Sequence, residues 1–91
     1  MIWRLFSRRP QIDVTVFTRD GCHLCDVAID LLRSRAKRYR LKITSVDITG
    51  DAALLRQYQE TIPVVRVMGR DRFFGQVDSV LLDRLLNSLS E

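Results

Sequence analysis

Cys22 and Cys25 are the only thiols in this 91-residue chain, and His23 and Leu24 stand between them. Thiols at this spacing can close a disulfide across one helical turn, offer two ligands to a metal, or fill a core as small apolar residues. A structural zinc needs four ligands. The chain has no second cysteine pair, and His23 is poorly placed to bind the same ion as its neighbours. No metal site is expected. Filling a β-α corner with two cysteines remains the bland alternative to reactive thiols. Redox chemistry is the favoured reading for such a pair in a small α/β chain.

The pair falls where a strand pattern gives way to a helix pattern. Cys22 is expected at or next to the helix N-cap, where unpaired backbone N–H groups and the positive dipole end favour a thiolate. Cys25 lies one turn inside, so its side chain returns to the same edge. Cys22 then reads as the nucleophile and Cys25 as the resolving thiol, which attacks a mixed disulfide on Cys22. Arg19 and a protonated His23 would favour the thiolate, while Asp20 and Asp26 oppose it. His23 reads either as a solvent-facing residue of the first turn or as an acid–base group.

The surrounding pattern supplies the scaffold. Residues 12–18, IDVTVFT, alternate as a strand, and Asp20-Gly21 signals a turn. From Cys22 to about Arg38, Leu24, Val27, Ala28, Leu31 and Leu32 recur at helical spacing and are the predicted core face. Residues 41–48 read as a second strand. Thr49-Gly50-Asp51 opens a short helix with Ala53, Leu54 and Tyr58 on its apolar side. PVVRVM, residues 63–68, reads as a third strand, since proline at a strand start removes no needed donor. A turn at residues 69–71 leads into an antiparallel strand, RFFGQV. The last helix, DSVLLDRLLNSL, has Asp78 as its N-cap and Val80 or Leu81, Leu82, Leu85, Leu86 and Leu89 as its stripe. The predicted fold class is α/β, in the order β-α-β-α-β-β-α, with one mixed four-stranded sheet flanked by helices.

The length suits one domain, here residues 12–91, with residues 1–11 as an N-terminal tail. The opening MIWRLFSRRP lacks the continuous apolar run of a signal peptide, and no apolar stretch is long enough to span a bilayer. A cytoplasmic location with reduced thiols is therefore expected. The net charge is +4, and six of the fifteen basic residues lie in RSRAKRYRLK, residues 33–42. That stretch reads as the C-terminal end of a helix, where cations favour the dipole. No aromatic interleaving there supports a base-stacking surface, so no specific nucleic-acid partner is expected.

FTRDGCHLC at the end of the first strand resembles the active-site segment of glutaredoxins and thioredoxins. TIPVV, leading into the third strand, resembles the segment those proteins place opposite the dithiol with a cis proline. GQVDSV resembles the glutaredoxin Gly-Gly-x-Asp-Asp region before the last helix. The likeness runs in order from Ile12 onward and is nearest to small glutaredoxin-like proteins with a GCHLC-type site. It implies a thioredoxin-like fold and a cis Ile62–Pro63 bond that turns the Ile62 backbone towards an extended peptide or glutathione. It also implies that Arg19 meets a glutathione carboxylate, that Asp78 and Ser79 hold the other end, and that His23 adjoins the same ligand. The sequence departs from the family pattern in carrying His-Leu between the cysteines, Gln76 for the second glycine, and Ser79 for the second aspartate.

The expected activity is thiol–disulfide exchange by a monomer, with glutathione as co-substrate and no permanently bound cofactor. A disulfide-containing protein or glutathione is the expected partner, and no membrane is. Two rivals belong to other classes. One is a non-enzymatic binding module that docks through Trp3–Phe6 or through the basic residues 33–42. The other is a glutathione-assisted iron–sulfur cluster carrier, a dimer with one Cys22 from each chain.

Overall fold

A computed structural model describes residues 10–90 of the chain. Among them the elements run β1 (Ile12–Thr18), α1 (His23–Tyr39), β2 (Leu41–Asp47), α2 (Ala52–Tyr58), β3 (Val64–Val67), β4 (Arg70–Phe74) and α3 (Ser79–Ser90), the expected order. They form one four-stranded sheet in the order β2-β1-β3-β4. β1 pairs parallel with β2, and Thr18 lies opposite Asp47 at the carboxyl ends. β3 runs antiparallel to β1, with Val64 opposite Phe17, and β4 returns antiparallel to β3. The ends of β1, β2 and β4 and the start of β3 therefore meet at one edge of the sheet.

The pleat of β1 sends its side chains to two cores. Ile12, Val14 and Val16 join Val65 and Val67 beneath Leu32 and Tyr39 of α1 and Leu82 and Leu86 of α3. Phe17 faces the other way, into a smaller core with Ile48, Tyr58 and Val64 beneath α2. Arg35 of α1 forms a two-pronged pair with Asp83 of α3, at 2.8 and 3.1 Å, and the Tyr39 hydroxyl donates to Asn87 at 2.9 Å. These contacts clamp the two helices on one face of the sheet. Asp71 and Arg66 pair on the other face, at 2.7 Å.

The structure revises several expectations. The buried stripe of α1 is Cys25, Ala28, Leu32 and Tyr39, and Leu24 and Val27 are exposed instead. A stripe through residues 24, 27 and 31 would continue into Arg35 and Arg38, whereas the observed one stays apolar to the helix end. Ile48 leaves β2 for a 3-10 turn, Ile48–Gly50, because Asp47 accepts the Thr49 N–H and ends the strand. Asp51 caps α2, whose inward side is Leu54, Leu55 and Tyr58, with Ala53 exposed. The β3–β4 turn is Met68-Gly69, both at positive φ, so β4 begins at Arg70 and ends at Phe74. In α3, Val80 and Leu81 are exposed while Leu82 and Leu86 are buried. Of the tail, only Pro10 and Gln11 fall among the described residues, so Trp3–Phe6 lies outside them.

The basic residues 33–42 sit at the C-terminal end of α1 and the start of β2, at the far end of the sheet from Cys22. Within that stretch Arg35 is paired with Asp83, and the Arg38 guanidinium lies 5.2 Å from the Tyr39 ring centroid. Among the described residues no helix is long and apolar enough to cross a membrane.

Candidate active site

β1 ends at Thr18, and Gly21 turns the chain with a φ of +77° that a side chain would disfavour. Cys22 follows in extended conformation as the N-cap of α1. A cysteine here takes the place of the usual oxygen cap: its Sγ accepts the backbone N–H of Cys25 at 3.2 Å. The Cys22 and Cys25 sulfurs are joined as a disulfide, with the two Cα atoms 5.2 Å apart. Cys25 is 0% exposed, whereas Cys22 is half-buried. An incoming sulfur can therefore approach Cys22 and not Cys25. The same N–H that now meets the disulfide sulfur would stabilise a Cys22 thiolate after reduction.

The turn from α2 to β3 lies at the same edge. Its Ile62–Pro63 bond is cis. Tyr58 O accepts the N–H groups of Thr61 and Ile62 at 2.9 and 3.1 Å, so the Ile62 N–H is engaged within the chain. Ile62 is half-buried and Pro63 buried. This turn is tied to the body by Tyr58, whose ring stacks on Phe17 with centroids 4.7 Å apart. The Tyr58 hydroxyl donates to Asp71 at 2.7 Å and accepts from Arg66 at 3.0 Å. The Arg66 guanidinium also stands 4.8 Å from the Phe17 ring centroid. Its hydrogen bond is the main cause holding the Asp71 carboxyl below the usual carboxylate range, while burial pushes the Tyr58 hydroxyl upward. Sequence patterns do not announce this triad, because its members come from three elements. The signals present are an aromatic in α2 and opposite charges across the β3–β4 hairpin.

Two clefts flank the first turns of α1. One, of about 460 Å³, is walled by Leu24, Val27, Leu31, Val77 and Asp78, with Gly75 and Gln76 at its side. The other, of about 420 Å³, is lined by Arg19, Asp20, Asp26 and Asp47, with Thr18 and Ser45. Arg19 and Asp78 thus line different clefts, on opposite flanks of α1, and are not brought together. Asp78 caps α3, its Oδ1 accepting from Val80 and Leu81 N–H at 2.8 and 3.1 Å. Ser79 is the exposed first residue of that helix, and His23 is exposed in the first turn of α1. Leu24 and Val27, on the predicted core face, instead line the first of these clefts.

A sequence model of the Glutaredoxin-like domain (DUF836) matches residues 13–87. An X-ray structure of a structural-genomics target protein from X. campestris is 33% identical and superposes with a TM-score of 0.69, covering 82% of this chain and 96% of that one. A solution structure of a protein from Nitrosomonas europaea is 25% identical, with a TM-score of 0.76 and coverage of 87% and 95%. A thioredoxin from Halobacterium salinarum, 20% identical, shares the fold with a TM-score of 0.68 over 89% of this chain and 76% of its own. The architecture is therefore thioredoxin-like.

Proposed function

This chain belongs to the glutaredoxin-like domain family, and on that footing we propose that it is a thiol–disulfide oxidoreductase. The observation that carries the reading is the unequal exposure of the paired sulfurs: half-buried Cys22 at the helix N-cap, wholly buried Cys25 behind it. The Cys22 thiolate attacks one sulfur of a substrate disulfide, forming a mixed disulfide and expelling the other sulfur as a thiolate that takes up a proton. Cys25, having lost its proton, then attacks the Cys22 sulfur. The Cys22–Cys25 bond forms, the second substrate thiol leaves, and two electrons have passed to the substrate. The joined pair in the structure corresponds to the end of this sequence.

Glutathione is the reductant in this reading: two molecules return the pair to the dithiol and leave as glutathione disulfide. Such a cycle suits the cytoplasm, where a glutathione pool keeps thiols reduced. Proteins with accessible or mixed disulfides are the substrates.

Equilibration in graded glutathione buffers, followed by alkylation and mass measurement, tests the reading. Reversible loss of two hydrogens on wild type is expected. Cys22→Ser should abolish turnover, and Cys25→Ser should accumulate one glutathione on Cys22. Full turnover by Cys22→Ser, or thiols that stay reduced in every buffer, would overturn it.

A further inference from the structure

Leu24 and Val27 are 43% and 50% exposed, although both are apolar and both lie on a helix with a buried side. They stand three residues apart, hence on one flank of α1. With Leu31 and Val77 they make the apolar wall of the cleft along that flank. Val80 and Leu81, just beyond Asp78, are exposed as well. Apolar side chains gathered beside a reactive group mark a recognition surface more often than scattered ones do. Leu24 itself sits between the two cysteines. The wall of the cleft therefore begins two residues from Cys22 along the chain.

Charge narrows the occupant. The apolar cleft carries a single charged lining residue, Asp78. The cleft on the opposite flank sets three carboxylates, Asp20, Asp26 and Asp47, against Arg19 alone. Thr49 hydrogen bonds, from its hydroxyl first and its backbone N–H second, hold the Asp47 carboxyl below the usual range, so it stays ionised. The chain as a whole is +4, and among the described residues the basic cluster 33–42 lies at the other end of α1. Glutathione offers two carboxylates, one ammonium and no large apolar side chain, so it leaves the apolar wall uncovered. A polypeptide disulfide can complement both flanks, because side chains one or two residues from its cysteine lie within about 7 Å along an extended chain.

We propose that the Leu24–Val27 cleft receives an apolar side chain adjacent to the cysteine of a polypeptide disulfide, and that the segment bearing it is cationic. This rests on the oxidoreductase reading and names its substrate class. During the first exchange the apolar side chain is buried against Leu24 and Val27 while the new sulfur–sulfur bond forms on Cys22. The substrate's former partner sulfur leaves as a thiolate. Basic residues flanking the cysteine face Asp78 and the carboxylates across α1, which raises the encounter rate and makes it salt-sensitive.

Three short peptides test this with the full reduced chain. Each carries one cysteine joined to thionitrobenzoate, whose release is followed by absorbance. The first has leucine beside the cysteine and two lysines. The second replaces leucine by serine, and the third replaces the lysines by glutamates. The first should react roughly tenfold faster than the second, the selectivity that a filled apolar pocket confers. Its advantage over the third should shrink as salt rises. In Leu24→Ser/Val27→Ser the leucine-to-serine rate ratio should fall towards one, with an unchanged circular dichroism spectrum to verify folding. Equal rates for all three peptides, or a faster reaction with glutathione's own thionitrobenzoate disulfide, would overturn the proposal. If those rates still vanish in Cys22→Ser, the oxidoreductase reading survives that result; if they do not, it falls too.

Discussion

Gly75 donates its backbone N–H to the carbonyl oxygen of Pro63 at 2.9 Å, and to that of Thr61 at 2.9 Å. One donor thus pins the loop leading to α3 against the turn leading to β3, at the sheet edge that carries Cys22. Gly75 holds a φ of +79°, and a Cβ there would meet nothing within 4 Å. Backbone conformation is then the whole cost of a side chain, about 1–2 kcal/mol. Gly75→Ala should lower the urea midpoint by that equivalent with an unchanged slope. An unshifted midpoint would contradict the left-handed assignment.

Tyr58 and Asp71 give stability a defined pH dependence. The folded Asp71 carboxyl is depressed, chiefly by Arg66, so its contribution is present above the ordinary carboxylate value of about 4 and is lost as pH falls through the lower folded value. The Tyr58 hydroxyl is raised, chiefly by burial, so its neutral form is favoured below about pH 10, and that advantage disappears as pH rises through the folded value. Tyr58→Phe should cost about 1 kcal/mol at neutral pH, since it removes one hydroxyl from the triad. For Asp71→Asn, the deficit relative to wild type should shrink on going from pH 6 to pH 3 in denaturant titrations. A deficit that grew towards acid would mean the sign is wrong.

The two apolar stripes of α1 should behave differently under truncation. Leu32 is buried against the sheet, and Leu32→Ala should cost about 2–5 kcal/mol. Leu24 is exposed, and Leu24→Ala should stay within about 0.5 kcal/mol of wild type. Thermal unfolding of both variants, compared at one pH, measures the difference directly. Comparable losses would place Leu24 in the core after all.

Asp78 offers a separation of cap from charge. Its Oδ1 accepts from Val80 and Leu81 N–H, so Asp78→Ala should cost about 1 kcal/mol. Asp78→Asn keeps a capping oxygen and should remain near wild type in stability. Guanidinium titration of the pair is the measurement, and equal losses in both variants would remove the capping role.

Spacing and residue chemistry within short windows make most of the fold legible. The alternation in residues 12–18, the change to helical period after Cys22, and the turn signals give the element order that the structure has. The same local logic puts Cys22 at a helix N-cap, because a Gly-turned strand end followed by an amphipathic run has few other conformations open to it. Where two overlapping apolar stripes share one helix, local spacing is ambiguous. Packing against the sheet selects Cys25, Ala28, Leu32 and Tyr39, and leaves Leu24 and Val27 outside. The separation of Arg19 from Asp78 by α1, and the meeting of Tyr58, Arg66 and Asp71, depend likewise on strand order and register. Those are contacts between distant parts of the chain, and their energies are realised only once the sheet has closed around β1.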